Sequence, residues 1–219
     1  SACWQDAPPV ESSLLPQEEE PSDTGSLSLP EQFSLAYAPG ESLDPITCAD
    51  GMQQVVASLL CEGLFRLGPD FEPEPWLCKS YTYDPVSYTY VFTLYHGITF
   101  SDGSFLTSAD VKATLDRARS SERYGARLSD VTGITAGSET VTVTLAGPNT
   151  GFPALLDIPI VKDGTWERPV GTGPYLFSAE DSGDWLIANQ SWWRGAKQPL
   201  DRIALVEASD QDTLLYRFS

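Results

Sequence analysis

Apolar and polar residues alternate most regularly between Tyr81 and Phe100, where Tyr88, Tyr90, Phe92 and Leu94 are interleaved with Thr89, Val91, Thr93 and Tyr95. A period of two puts the two sets on opposite faces of a strand. A half-buried strand is therefore predicted here, entered through an Asp84-Pro85 turn. Val131 to Leu145 repeats the pattern in VTGITA and TVTVTLA, with Gly137-Ser138-Glu139 as the hairpin connection. Shorter runs predict a strand from Phe33 (FSLAYA), a hairpin of Tyr175–Ser178 and Trp185–Asn189 around Asp181-Ser182-Gly183-Asp184, and a strand over Ile203–Val206.

Helical spacing is rarer. From Gly51 to Leu64, Val55, Val56, Leu59, Leu60 and Leu64 recur on one face, which predicts a helix ending with Gly63 in the left-handed conformation. Thr107 precedes Asp110 by three residues, so each can bond the other's backbone amide and start a helix over Ser108–Ser120. Phe152–Leu156 reads as a short helix, and the segment after Val206 as a terminal helical one. Strands and helices mix without a regular βαβ repeat, which predicts an α+β fold.

The chain has 219 residues, 41% of them hydrophobic, enough for one well-buried domain or two small ones. Its N-terminal part has a different composition. Residues 1–30 carry APPV, LLPQEEEPSDTGS and SLP without a repeating apolar face, and read as a flexible acidic tether before a folded region over 31–219. The formal charge of −18 argues against binding nucleic acid or an anionic membrane, so a ligand is expected to be neutral, zwitterionic or cationic. No run approaches the roughly 18 apolar residues of a membrane span. Cys3, Cys48, Cys61 and Cys78 form no CxxC pair and no cysteine and histidine cluster, so no metal site is expected; a disulfide among the last three stays open.

Catalytic chemistry finds few candidates. His96 is the only histidine, and no GxSxG elbow accompanies it. Carboxylates are plentiful, but no spacing singles out a glycosidase pair. Gly171-Thr172-Gly173-Pro174 lacks the Lys and Ser/Thr of a phosphate-binding loop, and Pro174 removes an amide donor. Its glycines instead suit close approach of the backbone to a ligand or a strand. Trp166 and Tyr124 are candidate aromatic contacts on loops.

Several motifs carry a family resemblance: ITFSDGSFLTSADV over Ile98–Val111, PVGTGPYLF from Pro169, NQSWWRGAKQPLDRI ending at Ile203, Leu43-Asp44-Pro45 and Glu62-Gly63-Leu64. In kind and order they resemble the extracytoplasmic solute-binding proteins of oligopeptide, dipeptide and nickel ABC transporters, family 5. The resemblance implies the mixed-sheet N-terminal lobe of a periplasmic-binding-protein-like fold (type II, cluster C), truncated before the second lobe. It implies a monomeric, non-catalytic protein that captures peptides or nickel chelates outside the membrane, closes two lobes around them and hands them to ABC permease subunits, without a cofactor. Leu43, Gly171, Thr172 and Gly173 join Trp166 and Tyr124 as candidate substrate contacts. Ser1-Ala2-Cys3 is similar to the end of a lipobox, which implies lipidation of Cys3 and a membrane anchor. Trp192 and Trp193 are expected to pack beneath Pro199-Leu200-Asp201. The alternatives are an extracellular carbohydrate-active enzyme with a carboxylate pair and a surface protein-interaction module.

Overall fold

The computed structural model describes residues 33–208. The tether over 1–30, Cys3 and the terminal helical segment beyond 208 lie outside the described residues.

Two four-stranded sheets organise this part of the chain. The first consists of β1 (Phe33–Tyr37), β10 (Arg202–Glu207), β9 (Gly183–Ala188) and β8 (Tyr175–Glu180), in that order. β1 and β10 pair in parallel, with Leu35 opposite Leu205, whereas β8 and β9 form an antiparallel hairpin. The second sheet is antiparallel throughout and runs β4 (Cys78–Asp84), β5 (Thr89–Leu94), β7 (Thr140–Leu145), β6 (Val131–Ala136). Within it Tyr90, Phe92 and Leu94 are buried on one face, as their alternation predicts. β4 alternates poorly because it is an edge strand exposed along most of its length. A ribbon of β2 (Phe65–Leu67) and β3 (Pro73–Pro75) completes the strands.

Each sheet carries its own apolar core. The larger joins Tyr90, Phe92 and Val143 of the second sheet to Val111 and Leu115 of helix α2 (Ser108–Arg119) and to Phe152 in the 3-10 turn Phe152–Leu155. The smaller joins Tyr175, Leu186 and Leu205 of the first sheet to Val56 and Leu60 of helix α1 (Gly51–Leu60). α2 starts as expected: Thr107 Oγ1 accepts from the Asp110 amide at 3.3 Å, and Asp110 Oδ2 accepts from the Thr107 amide at 2.9 Å.

α1 stops four residues earlier than its apolar spacing predicts. Cys61 is already extended, at φ −127° and ψ 144°, and Gly63 is not in the left-handed region. What makes Gly63 a glycine is proximity: a Cβ there would lie 2.9 Å from the Phe65 carbonyl oxygen and 3.0 Å from that of Ile158.

Candidate functional site

The loop between β1 and α1 is built by side chains turned back on their own backbone. Asp44 is 2% exposed; its Oδ1 accepts from the Ile46 amide and its Oδ2 from the Thr47 hydroxyl, both at 3.0 Å. Arg117, from α2, pairs with the same carboxylate. A buried carboxylate is tolerated when paired and hydrogen-bonded in this way. Leu43 is drawn into the smaller core beside it.

Gln53 fixes the other side of the loop. Fully buried, it accepts from the Ala38 amide at 2.8 Å and donates to the Ala38 and Glu41 carbonyls at 3.2 Å. Asp50 caps α1 by accepting from the Met52 amide at 2.7 Å. These contacts hold open a concavity of about 480 Å³ lined by Glu41, Ser42, Thr47, Cys48, Asp50 and Gln53 among others. Glu41 and Asp50 give it two carboxylates. Burial raises the Cys48 thiol above its ordinary range, with Arg123 opposing, so it is a neutral part of the wall.

Two predicted aromatic contacts border this loop through arginines. The Arg117 guanidinium lies over the Trp166 ring at 3.8 Å, which links Trp166 to Asp44. Arg123 and Arg127 lie 5.6 and 5.0 Å from the Tyr124 ring centroid, and Arg123 also bonds Gln54, whose amide donates to the Cys48 carbonyl at 3.3 Å. Leu43 and Trp166 belong to the smaller core and Tyr124 to the larger one, and none of the three is among the residues that line the concavity. Leu43 and Tyr124 are each 7% exposed and act from beneath the surface.

Gly171, Thr172 and Gly173 lie at the other end of α1, where the Gly171 carbonyl and both backbone groups of Gly173 bond within the protein. The Gly171 carbonyl accepts from Ser101 at 2.9 Å, the Gly173 amide donates to Leu60 at 2.9 Å, and the Gly173 carbonyl accepts from Asn189 at 3.3 Å. Both glycines press on the helix end, where a Cβ at Gly171 would lie 2.0 Å from the Leu60 carbonyl oxygen.

The residue that organises this region is Glu62, which sequence reasoning treated only as part of a helix end. At 9% exposure its Oε1 accepts from Thr172 at 2.9 Å and from the Trp193 indole at 2.7 Å, and its Oε2 accepts from the Trp76 indole at 2.7 Å. Three donors around one carboxylate satisfy its buried charge. Trp193 consequently packs against the larger core, with Trp76 at 6.4 Å and Tyr95 at 5.8 Å between ring centroids, and not beneath Pro199-Leu200-Asp201. The available signal was an acidic residue directly after an apolar helix in a chain with unpaired tryptophans.

The remaining chemistry is dispersed. His96 is exposed and meets only Glu139 among the described residues. Cys48, Cys61 and Cys78 are buried free thiols, which answers the disulfide question for these three.

With its core, loop and motif contacts placed, the chain can be assigned: residues 72–218 match the bacterial extracellular solute-binding proteins, family 5 Middle, and the chain belongs to that family. The family is one of extracellular binding proteins rather than enzymes. Among its relatives is the glutathione-binding protein GsiB of Salmonella choleraesuis, 30% identical over 189 residues, a match taking in 78% of this chain and 37% of GsiB. The fold is a mixed α/β one that matches part of solved binding proteins. NikZ from Campylobacter jejuni, in complex with Ni(L-His), superposes with a TM-score of 0.70 at 20% identity over 86% of this chain and 42% of NikZ. The oligopeptide-binding protein AppA from Bacillus subtilis, in complex with a nonapeptide, gives 0.71 at 18% identity over 85% of this chain and 42% of AppA. The chain therefore spans about two fifths of the length of these proteins.

Proposed function

We propose that this chain forms one wall of the ligand cleft in the substrate-binding protein of an ABC transporter, and that its solute is a short peptide. The concavity at the N-terminal end of α1 is the part of that wall that touches the ligand. The observation that carries this reading is the buried locking of the loop by Asp44 and Gln53, which leaves a preformed hollow lined by Glu41 and Asp50. Two carboxylates in a rigid hollow suit the ammonium group of a peptide N-terminus. The peptide reading is favoured by the names of GsiB and AppA; a nickel chelate, as in NikZ, is the rival solute. Capture would proceed by closure of a second lobe over this wall, followed by docking on permease subunits, with the protein held outside the membrane through Cys3.

A thermal-shift screen of the whole protein against di- to hexapeptides, glutathione, nickel–histidine complexes and oligosaccharides tests this reading. Stabilisation by a peptide that is recovered intact supports it. Stabilisation by an oligosaccharide and by no peptide contradicts it.

A further inference from the structure

Helix α2 carries two kinds of face. Val111, Leu115 and Ala118 pack into the larger core, while Asp110, Thr114 and Arg117, spaced i, i+4 and i+7, form a polar stripe along the helix. Asp110 Oδ1 accepts from the Asp163 amide at 3.0 Å, in addition to the cap its Oδ2 provides. Thr114 Oγ1, fully buried, accepts from the Val161 amide and donates to the Val161 carbonyl, both at 3.1 Å. Arg117 reaches Asp44, with Nη2 on Oδ2 and Nη1 3.5 Å from Oδ1, and Trp166 lies against its guanidinium. Val161, Trp166 and Leu43, the neighbour of Asp44, all pack in the smaller core. The stripe thus ties the helix of one core to chain that belongs with the other.

Arg117 matters beyond this join because of what Asp44 holds. The Asp44 amide donates to Ser42 Oγ at 3.0 Å, its carbonyl accepts from the amides of Thr47 at 3.3 Å and Cys48 at 2.9 Å, and its carboxylate takes the Ile46 amide and the Thr47 hydroxyl. Ser42, Thr47 and Cys48 line the hollow beside Glu41 and Asp50, whereas neither Asp44 nor Arg117 does. Among the described residues Arg117 is the one cation paired with this carboxylate. Without it, a buried charge bonded to the wall of the hollow would lack compensation, which is costly enough to rearrange its surroundings.

We propose that Arg117 is a positioning residue for the hollow: through Asp44 it fixes how Ser42, Thr47 and Cys48 are presented, and Trp166 holds its guanidinium in place. The consequence for solute affinity rests on the reading of the hollow as the peptide site.

The test compares the full chain with Arg117→Gln, Arg117→Lys and the double variant Asp44→Asn, Arg117→Gln, first by amide hydrogen exchange without any solute. In Arg117→Gln the Ile46 amide should exchange at least about tenfold faster, with the amides of β5 unchanged. Asn keeps an acceptor for Ile46 and removes the stranded charge, so the double variant should return that amide to near the wild-type rate, and Arg117→Lys should fall between. Calorimetric titration with trialanine should follow the same order, about tenfold weaker in Arg117→Gln and recovered in the double variant. The proposal is overturned if the Ile46 amide keeps its wild-type rate in Arg117→Gln, if the double variant exchanges as fast as the single one, if the β5 amides accelerate equally, or if trialanine binds Arg117→Gln as tightly as wild type. If trialanine fails to bind the wild type, the reading of the hollow as the peptide site loses its support, while the exchange of Ile46 still decides whether Arg117 shapes it.

Discussion

Thr172 and Trp193 donate to the same oxygen of Glu62, at 2.9 and 2.7 Å, and so three motifs far apart in the chain meet on one carboxylate. The Glu62-Gly63-Leu64 segment, the GTGP turn and the tryptophan pair look like separate signatures in the sequence. In the fold they are parts of a single polar knot at the end of α1.

Substitution of Glu62 should unfold that knot. Glu62→Gln keeps the volume but turns an amide N–H₂ toward a ring of donors, leaving at least one indole N–H unpaired. The expected loss is about 2–4 kcal/mol in urea unfolding. Trp193→Phe, which removes one donor and leaves the carboxylate two, should cost less.

The burial of the GTGP turn yields a sharper contrast. Gly171→Ala would force a methyl to 2.0 Å from the Leu60 carbonyl oxygen, and backbone cannot swing away as a side chain can. A loss above about 2 kcal/mol is expected, measured as a drop in the unfolding midpoint. Gly147→Ala, where a Cβ meets nothing within 4 Å, should change little.

Legibility in the sequence follows locality. The Thr107 and Asp110 box and the hairpin of β6 and β7 are decided by residues a few positions apart, so pattern suffices to find them. The end of α1 is decided by Asp157 and Ile158, whose backbone crowds Gly63 from almost a hundred residues away, and no periodicity reports that. The parallel pairing of β1 with β10 and the capture of Gly171 by Leu60 and Ser101 are hidden for the same reason. For the candidate site, Leu43, Trp166 and Tyr124 stand out in the sequence as aromatic or motif residues, whereas Asp44, Gln53 and Arg117, which shape the loop, do not stand out among many polar residues.

Acid stability should reflect Asp102. Burial raises its pKa, but hydrogen bonds from Lys162 and Ser104 outweigh that and hold it at about 2, below the ordinary 3.8. A depressed carboxylate contributes stability above its unfolded value, and that contribution is lost as pH falls from 3.8 through about 2. Carboxyl carbon resonances should titrate Asp102 near 2, and in Lys162→Met the midpoint should move up toward 3.8.

Thiol chemistry offers an independent check on the core. Burial pushes Cys78 up to about 11 and raises Cys61 and Cys48 as well, so little thiolate exists at neutral pH. Iodoacetamide at neutral pH should leave all three unmodified in the native protein and label all three in denaturant, as mass spectrometry of the peptides would show. Rapid native labelling of Cys61 would contradict the packing of α1 against Gly171.

The concavity at the start of α1 is tested most directly by calorimetric titration of a binding peptide into the whole protein and into its Glu41→Gln, Asp50→Asn double variant. Asn still caps a helix, so the fold should keep its thermal midpoint. If the two carboxylates receive the peptide's ammonium group, affinity falls at least about tenfold in the variant, and an N-acetylated peptide binds both proteins with the same weak affinity. Equal affinity of wild type and variant for the free peptide would place the ligand elsewhere.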